Sequence, residues 1–127
     1  MIVLIDTNIA TLLRDGDHPT IERIAVIDAP LMLSIVSLVE LEGGVVAVPA
    51  YAAYRRAALD ALLEDLEVLE FRSAACDAYR DIVERIGYSR PKILDRMIAA
   101  TALVHNLPLL TNNARDFADI DGLALAQ

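Results

Sequence analysis

The sequence predicts an α/β fold of three layers, α/β/α, with helices on both faces of a central, mostly parallel sheet. Three observations lead there. Short apolar runs alternate with amphipathic stretches along the whole chain, the pattern of strand–helix repeats around a parallel sheet. The first run, Ile2–Ile5, is fully apolar, as a strand buried on both faces is. Polar and acidic residues follow directly after the strands, where open sheets of this kind build their sites. The 127 residues, 56% of them hydrophobic, suit one compact domain over residues 1–127. No Gly/Ser/Pro-rich linker, low-complexity tract or repeat divides them.

The elements follow in order. Ile2–Ile5 reads as a buried strand, ended by Asp6, with a short helix over Thr7–Arg14. Asp17-His18-Pro19 opens a second helix running to about Asp28, with proline in its first turn. Leu31–Ile35 reads as the second strand. A helix follows from Ser37 to about Val46, weakened by Gly43 and Gly44. Tyr51–Leu66 is a long helix with Tyr51, Tyr54, Ala58 and Leu62 near one face. Val68–Phe71 is a short strand. Ser73–Ile86 is a helix stopped by Gly87. Ile93–Asn106 is the last helix, Pro108–Thr111 the strand after it, and Leu123–Ala126 a final edge strand.

Nothing at the N-terminus resembles a secretory leader, and no apolar stretch approaches the roughly 20 residues that a membrane span needs. The single cysteine, Cys76, has no partner for an internal disulfide. A cytoplasmic protein without membrane contact is the expectation. The net charge of −8 runs against nucleic-acid binding, which favours basic surfaces. Two explanations are open. Carboxylates gathered around metal ions overstate the local negative field, or the eleven basic residues cluster on one face. Arg90, Lys92, Arg96 and Arg115 lie near Asp95 and Asp116 in sequence and suit the second. Solvated surface charge explains the same four equally well.

Four carboxylates stand out: Asp6, Glu40, Asp95 and Asp116. Asp6, Thr7 and Asn8 bring a carboxylate, a hydroxyl and an amide to one turn at the sheet rim. Ordinary capping, with Thr7 or Asn8 as the cap, accounts for the same tripeptide. Ser37-Leu38-Val39-Glu40 has the form of a capping box, which would occupy Glu40 with its own helix. The functional alternative aims Glu40 at the same rim as Asp6. Asp95 has small residues, Ala99 and Ala102, at i+4 and i+7, which leaves room for a cleft. An exposed aspartate paired with Arg96 or Lys92 is the plain alternative. Thr111-Asn112-Asn113-Ala114-Arg115-Asp116-Phe117 is an unusually polar segment after a buried strand. Hard divalent cations such as Mg²⁺ or Mn²⁺ prefer carboxylate oxygens, and a cation relieves the repulsion among acids that share a pocket. Phosphodiester hydrolysis suits such a site, because a metal lowers the pKa of water. Thr111 and Asn113 are placed to orient a carboxylate, water or phosphate, and Arg115 to contact a phosphate.

These residues resemble the PIN domain family, and within it the VapC toxins, along nearly the whole chain. Ile2-Val3-Leu4-Ile5-Asp6-Thr7-Asn8-Ile9 is similar to the family's opening strand and first acid. Glu40-Leu41-Glu42-Gly43-Gly44-Val45, Asp95-Arg96-Met97-Ile98-Ala99-Ala100 and Thr111 to Phe117 are similar to its later motifs, in the same order. The resemblance implies that Asp6, Glu40, Asp95 and Asp116 hold Mg²⁺ or Mn²⁺ for endonucleolytic cleavage of RNA, leaving a 5′-phosphate and a 3′-hydroxyl. It also implies a homodimer and a cognate VapB-like antitoxin whose C-terminal segment blocks the site. The stretch from Tyr51 to Lys92 carries no motif. Ser89-Arg90-Pro91-Lys92 departs from the glycine-containing approach expected before Asp95.

His18 and His105 show no zinc-ligand spacing. Without a histidine pair, an acid–base ribonuclease acting through the 2′-hydroxyl is a poor fit. Cys76 reads as packed, and Tyr51 and Tyr54 as core or dimer contacts. Two other functions compete. An Mg²⁺-dependent aspartyl-phosphate phosphatase or phosphotransferase also puts an aspartate after its first strand, but its second aspartate is Asn8 here, and Lys92 is the only lysine. A catalytically inactive PIN-like binding module is the other.

Overall fold

The computed structural model describes residues 1–126. Four strands form one wholly parallel sheet: β1 (Val3–Ile5), β2 (Leu31–Ser34), β3 (Glu67–Leu69) and β4 (Leu109–Leu110), in the order β3-β2-β1-β4. Helices α1 (Thr7–Arg14), α2 (His18–Ile27), α3 (Ile35–Ala47), α4 (Ala52–Glu64), α5 (Ser73–Ile86) and α6 (Ile93–His105) make the crossovers. Short 3₁₀ turns span Pro49–Tyr51, Arg90–Lys92 and Ala114–Phe117. The predicted architecture is therefore the observed one. No single helix among the described residues is long and apolar enough to cross a membrane.

The strand pleat creates the layers. Val3 and Ile5 join Ile9, Leu33, Leu41, Val45 and Leu59 under α1, α3 and α4. Leu4, pointing the other way, joins Ile82, Ile98, Ala99 and Leu109 under α5 and α6. All three residues of β1 are fully buried, so the central strand must be apolar on both faces. Register fixes where the strands stop: Ile5 lies opposite Leu33 and Leu110. Asp6, Ser34 and Thr111 thus emerge together at one edge of the sheet.

Local chemistry sets the boundaries. The Asp17 side chain accepts from the Thr20 backbone N–H and caps α2, as its sequence suggests. Gly87, at φ 86°, ends α5. Asn106, at φ 53° in the left-handed region, ends α6.

Several expectations need correction. The second strand stops at Ser34, whose side chain accepts from Val36 N–H, and α3 starts at once. Ser37 is therefore inside the helix, and no capping box forms with Glu40, which sits in the second turn. Asp6, rather than Thr7 or Asn8, caps α1. The long helix begins at Ala52 after a 3₁₀ turn, and its buried residue is Leu59. Tyr51 and Tyr54 are 56% and 58% exposed, so neither is core. Cys76 is exposed as well. The last strand reduces to a single parallel bridge, Leu109 to Leu125. Gly44 weakens α3 by propensity but admits a neighbour: a Cβ there would lie 3.4 Å from Arg14 Nη1.

Candidate functional site

Each of the four acids comes from a different segment: Asp6 and Asp116 follow strands β1 and β4, and Glu40 and Asp95 lie in the early turns of α3 and α6. Asp6 follows β1, and its residue is 4% exposed. Both its oxygens are held. Oδ1 accepts from Ile9 N–H at 2.9 Å, and Oδ2 accepts from the Thr111 hydroxyl at 2.5 Å. Thr111 in turn accepts the Asn113 N–H at 2.9 Å. Its one proton and one of its lone pairs are thereby committed, and the loop after β4 is fastened to the end of β1.

Glu40 reaches the rim from α3. Thr7 Oγ1 lies 2.6 Å from Glu40 Oε1 and 2.9 Å from Ser37 Oγ. A hydroxyl has one proton, and the charged acceptor takes it, which leaves Ser37 to donate into Thr7. Ser37 is fully buried; the sequence reads it as a helix cap, and its bond to Thr7, 30 residues away, is one that no local pattern carries. Thr7 thus orients Glu40, while its neighbour Asp6 caps the same helix.

Asp95 lies in the first turn of α6, partly buried. Asp116 lies in the exposed 3₁₀ turn after β4, anchored by buried Phe117. The electrostatics bring the set together. Burial raises the Asp95 carboxyl above its ordinary value, and the charges of Asp116, Asp6 and Glu40 raise it further, against a smaller opposing pull from Lys92. Burial also raises Asp6, opposed by its hydrogen bonds to Thr111 and Ile9 and by the charge of Arg23. No salt bridge neutralises any of the four among the described residues.

The remaining candidates divide. Asn8 is exposed, and its Oδ1 accepts from Asn112 Nδ2 at 3.3 Å. That bond ties it to the loop after β4. Asn113 contributes its backbone N–H, not its amide. Arg115 is exposed at the rim, and Arg90 and Lys92 precede Asp95 in the turn before α6. Arg96 leaves the expected basic group: it is 4% exposed and donates to the Gly87 carbonyl at 2.8 Å. It props the approach to Asp95 and does not pair with it. Arg23 was missed from the sequence, and Asn112 stands out there only as part of the polar segment after β4. Arg23 Nη1 donates to Asn112 Oδ1 at 2.6 Å across 89 residues, a relation no local pattern carries.

A donor set made only of carboxylates suits a hard cation such as Mg²⁺. No three acids among the described residues converge closely enough to hold one ion directly. Mg²⁺ commonly takes one or two carboxylates and keeps several waters, so the spread is compatible with it. The fit is one of donor chemistry and unrelieved negative charge. A cavity of about 330 Å³ between α5, α6 and the C-terminal segment, lined by Ile82, Arg85 and Leu103, contains none of the four acids.

Comparison with known proteins identifies the family and the fold. The PIN domain family matches residues 3–123. The crystal structure of VapBC2 from Rickettsia felis bound to a DNA fragment from their promoter is similar with a TM-score of 0.86 and 25% identity, covering 99% of this chain and 98% of that one. DNA-bound VapBC from Salmonella typhimurium gives 0.84 and 25%, covering 99% and 97%. VapBC-1 from nontypeable Haemophilus influenzae gives 0.78 and 26%, covering 100% and 98%. No curated protein matches significantly. VapC-type PIN proteins are generally metal-dependent ribonucleases. The chain belongs to the PIN domain family and is built, along its full length, like the VapC-type toxins of toxin–antitoxin pairs.

Proposed function

We propose that this protein is an Mg²⁺- or Mn²⁺-dependent endoribonuclease, the toxin of a toxin–antitoxin pair, with Asp6, Glu40, Asp95 and Asp116 as its metal-holding acids. The observation that carries the reading is the collection of negative charge around Asp95, contributed by three acids from distant segments and balanced by no ion pair. A purely structural site gains nothing from such a cluster; a cation site needs it. A bound divalent ion would supply a lowered pKa for water and offset charge on phosphate oxygens.

The chain's own residues do the rest. Thr111 and Ile9 N–H fix the Asp6 carboxylate, and Thr7 fixes Glu40, so two acids are oriented before any ligand arrives. Water attacks phosphorus, the bond to the 3′-oxygen breaks, and that oxygen leaves with a proton. The products are a 5′-phosphate and a 3′-hydroxyl. Arg115, exposed beside Asp116, meets the phosphate backbone.

The partners follow from the same reading. The similar structures carry VapBC names, which supports a cognate VapB-like antitoxin, and a basic antitoxin segment complements a toxin of charge −8. A second copy of this chain is the proposed occupant of the apolar surface formed by Val39 and Val46 on α3 with Tyr51 and Tyr54, all more than half exposed. A cytoplasmic setting fits a toxin that cuts cellular RNA.

The test is cleavage of total cellular RNA by purified, inhibitor-free protein in EDTA, Mg²⁺ or Mn²⁺, beside Asp6→Asn and Asp116→Asn. Metal-dependent cutting is expected, with each variant losing roughly a hundredfold or more, as loss of about 3 kcal/mol of transition-state stabilisation requires. Folded protein that cuts under no metal would instead mark an inactive binding module.

A further inference from the structure

The eleven basic residues fall into two sets. Arg14, Arg56, Arg72, Arg80 and Arg85 form ion pairs with carboxylates. The others form none among the described residues. Of these, Arg96 is committed to Gly87, and Arg55 donates to the Gly44 carbonyl while lying over the Tyr51 ring, 5.4 Å from its centroid. Arg23 is different. It is close enough to Asp6 for its charge to favour the ionised carboxylate, yet it forms no salt bridge there. Its guanidinium instead donates to the side-chain amide of Asn112, a neutral acceptor beside Thr111, the residue that holds Asp6.

We propose that Arg23 is a phosphate-binding residue for the RNA backbone at the α2 side of the acid centre, and that Asn112 only parks its guanidinium until substrate arrives. The inference rests on the nuclease reading and adds a substrate contact to it. One bond to a neutral amide at the surface is a weak hold on a guanidinium. A phosphate offers two parallel, charge-assisted bonds in the fork geometry that arginine matches. A polyanion approaching a protein of charge −8 also needs an unspent cation beside the acids, and Arg23 is one. The parked geometry keeps that cation at the rim without neutralising Asp6.

The experiment measures binding of a labelled single-stranded RNA oligonucleotide, in Ca²⁺ and over a series of KCl concentrations. The wild type is compared with Arg23→Gln, Arg23→Lys and Asn112→Ala. Loss of one phosphate contact lowers the slope of log affinity against log salt by about 0.7 for a single strand. That decrease is expected for Arg23→Gln, with the slope restored in Arg23→Lys. Asn112→Ala frees the guanidinium and should keep the wild-type slope. If Arg23 merely props the loop, Asn112→Ala will weaken binding as Arg23→Gln does, and the proposal fails. An unchanged slope in Arg23→Gln also overturns it while leaving the nuclease reading intact. RNA that fails to bind even the wild type overturns both.

Discussion

Asp95 stands under opposing influences. In the first turn of α6, the helix dipole favours its negative charge, an effect worth about 0.3–1 kcal/mol. Burial and three neighbouring acids oppose that charge, and together they prevail, since the carboxyl is raised above its ordinary value of 3.8. The sign for stability follows. Folded protein holds the Asp95 proton more tightly than unfolded chain, so this group favours folding below pH 3.8 and loses that contribution as pH rises through the raised value. Asp95→Asn removes the cost of the charge. At pH 7 without metal it should melt at a higher temperature than the wild type, and the gap should close as pH falls toward 3.8. Adding Mg²⁺ should raise the melting temperature of the wild type more than that of Asp95→Asn. A variant less stable than the wild type at pH 7 would mean that the dipole outweighs the repulsion.

At the scale of elements, the sequence revealed most where a local signal coincides with a boundary. Asp17 before a proline and Gly87 after Ile86 each cap a helix where predicted, whereas Asn106, read as the last residue of its helix, is its cap. It misled where one residue serves two elements. Ser34 ends β2 and caps α3 with no loop between them, so the Ser37–Glu40 spacing looked like a helix start one turn too late. Asp6 ends β1, caps α1 and faces the other acids, a sum of roles that no window of sequence separates. Contacts such as Thr7–Ser37 and Arg23–Asn112 depend on sheet order and were not legible at all. The approach to α6 shows how a missing signal is replaced. The glycine absent from Ser89–Lys92 is supplied earlier by Gly87, at φ 86° and ψ 160°, a conformation that side chains resist. Its carbonyl holds Arg96, one residue from Asp95. Gly87→Ala should cost about 1–3 kcal/mol in urea unfolding. A cost near zero would show that this joint relaxes freely and does not position α6.

At the scale of the whole molecule, the sheet divides the surface by chemistry. Its carboxyl edge gathers the acids and the uncommitted cations, whereas α3 and the chain after it expose large apolar groups away from the two cores. Val39 and Val46, seven residues apart, lie on one face of α3 and are 67% and 69% exposed. Tyr51 and Tyr54 extend the exposed apolar surface into the start of α4. Such a surface costs solubility unless it is covered, and aromatic side chains are favoured in interface cores. Arg56, with Glu42 and Asp60, supplies a charged group between the same helices, as the polar rim of an interface requires. A second copy packed on this face would leave the acid edge open to substrate. Tyr54→Glu puts a charge into the proposed interface without touching the acids or the buried Leu59 on the same helix. Sedimentation equilibrium should show the wild type as a dimer and Tyr54→Glu shifted toward monomer by at least tenfold in dissociation constant, the equivalent of about 1.4 kcal/mol. A wild type that sediments as a monomer at every concentration would free this face for the antitoxin. Tyr54→Glu should then weaken antitoxin binding instead.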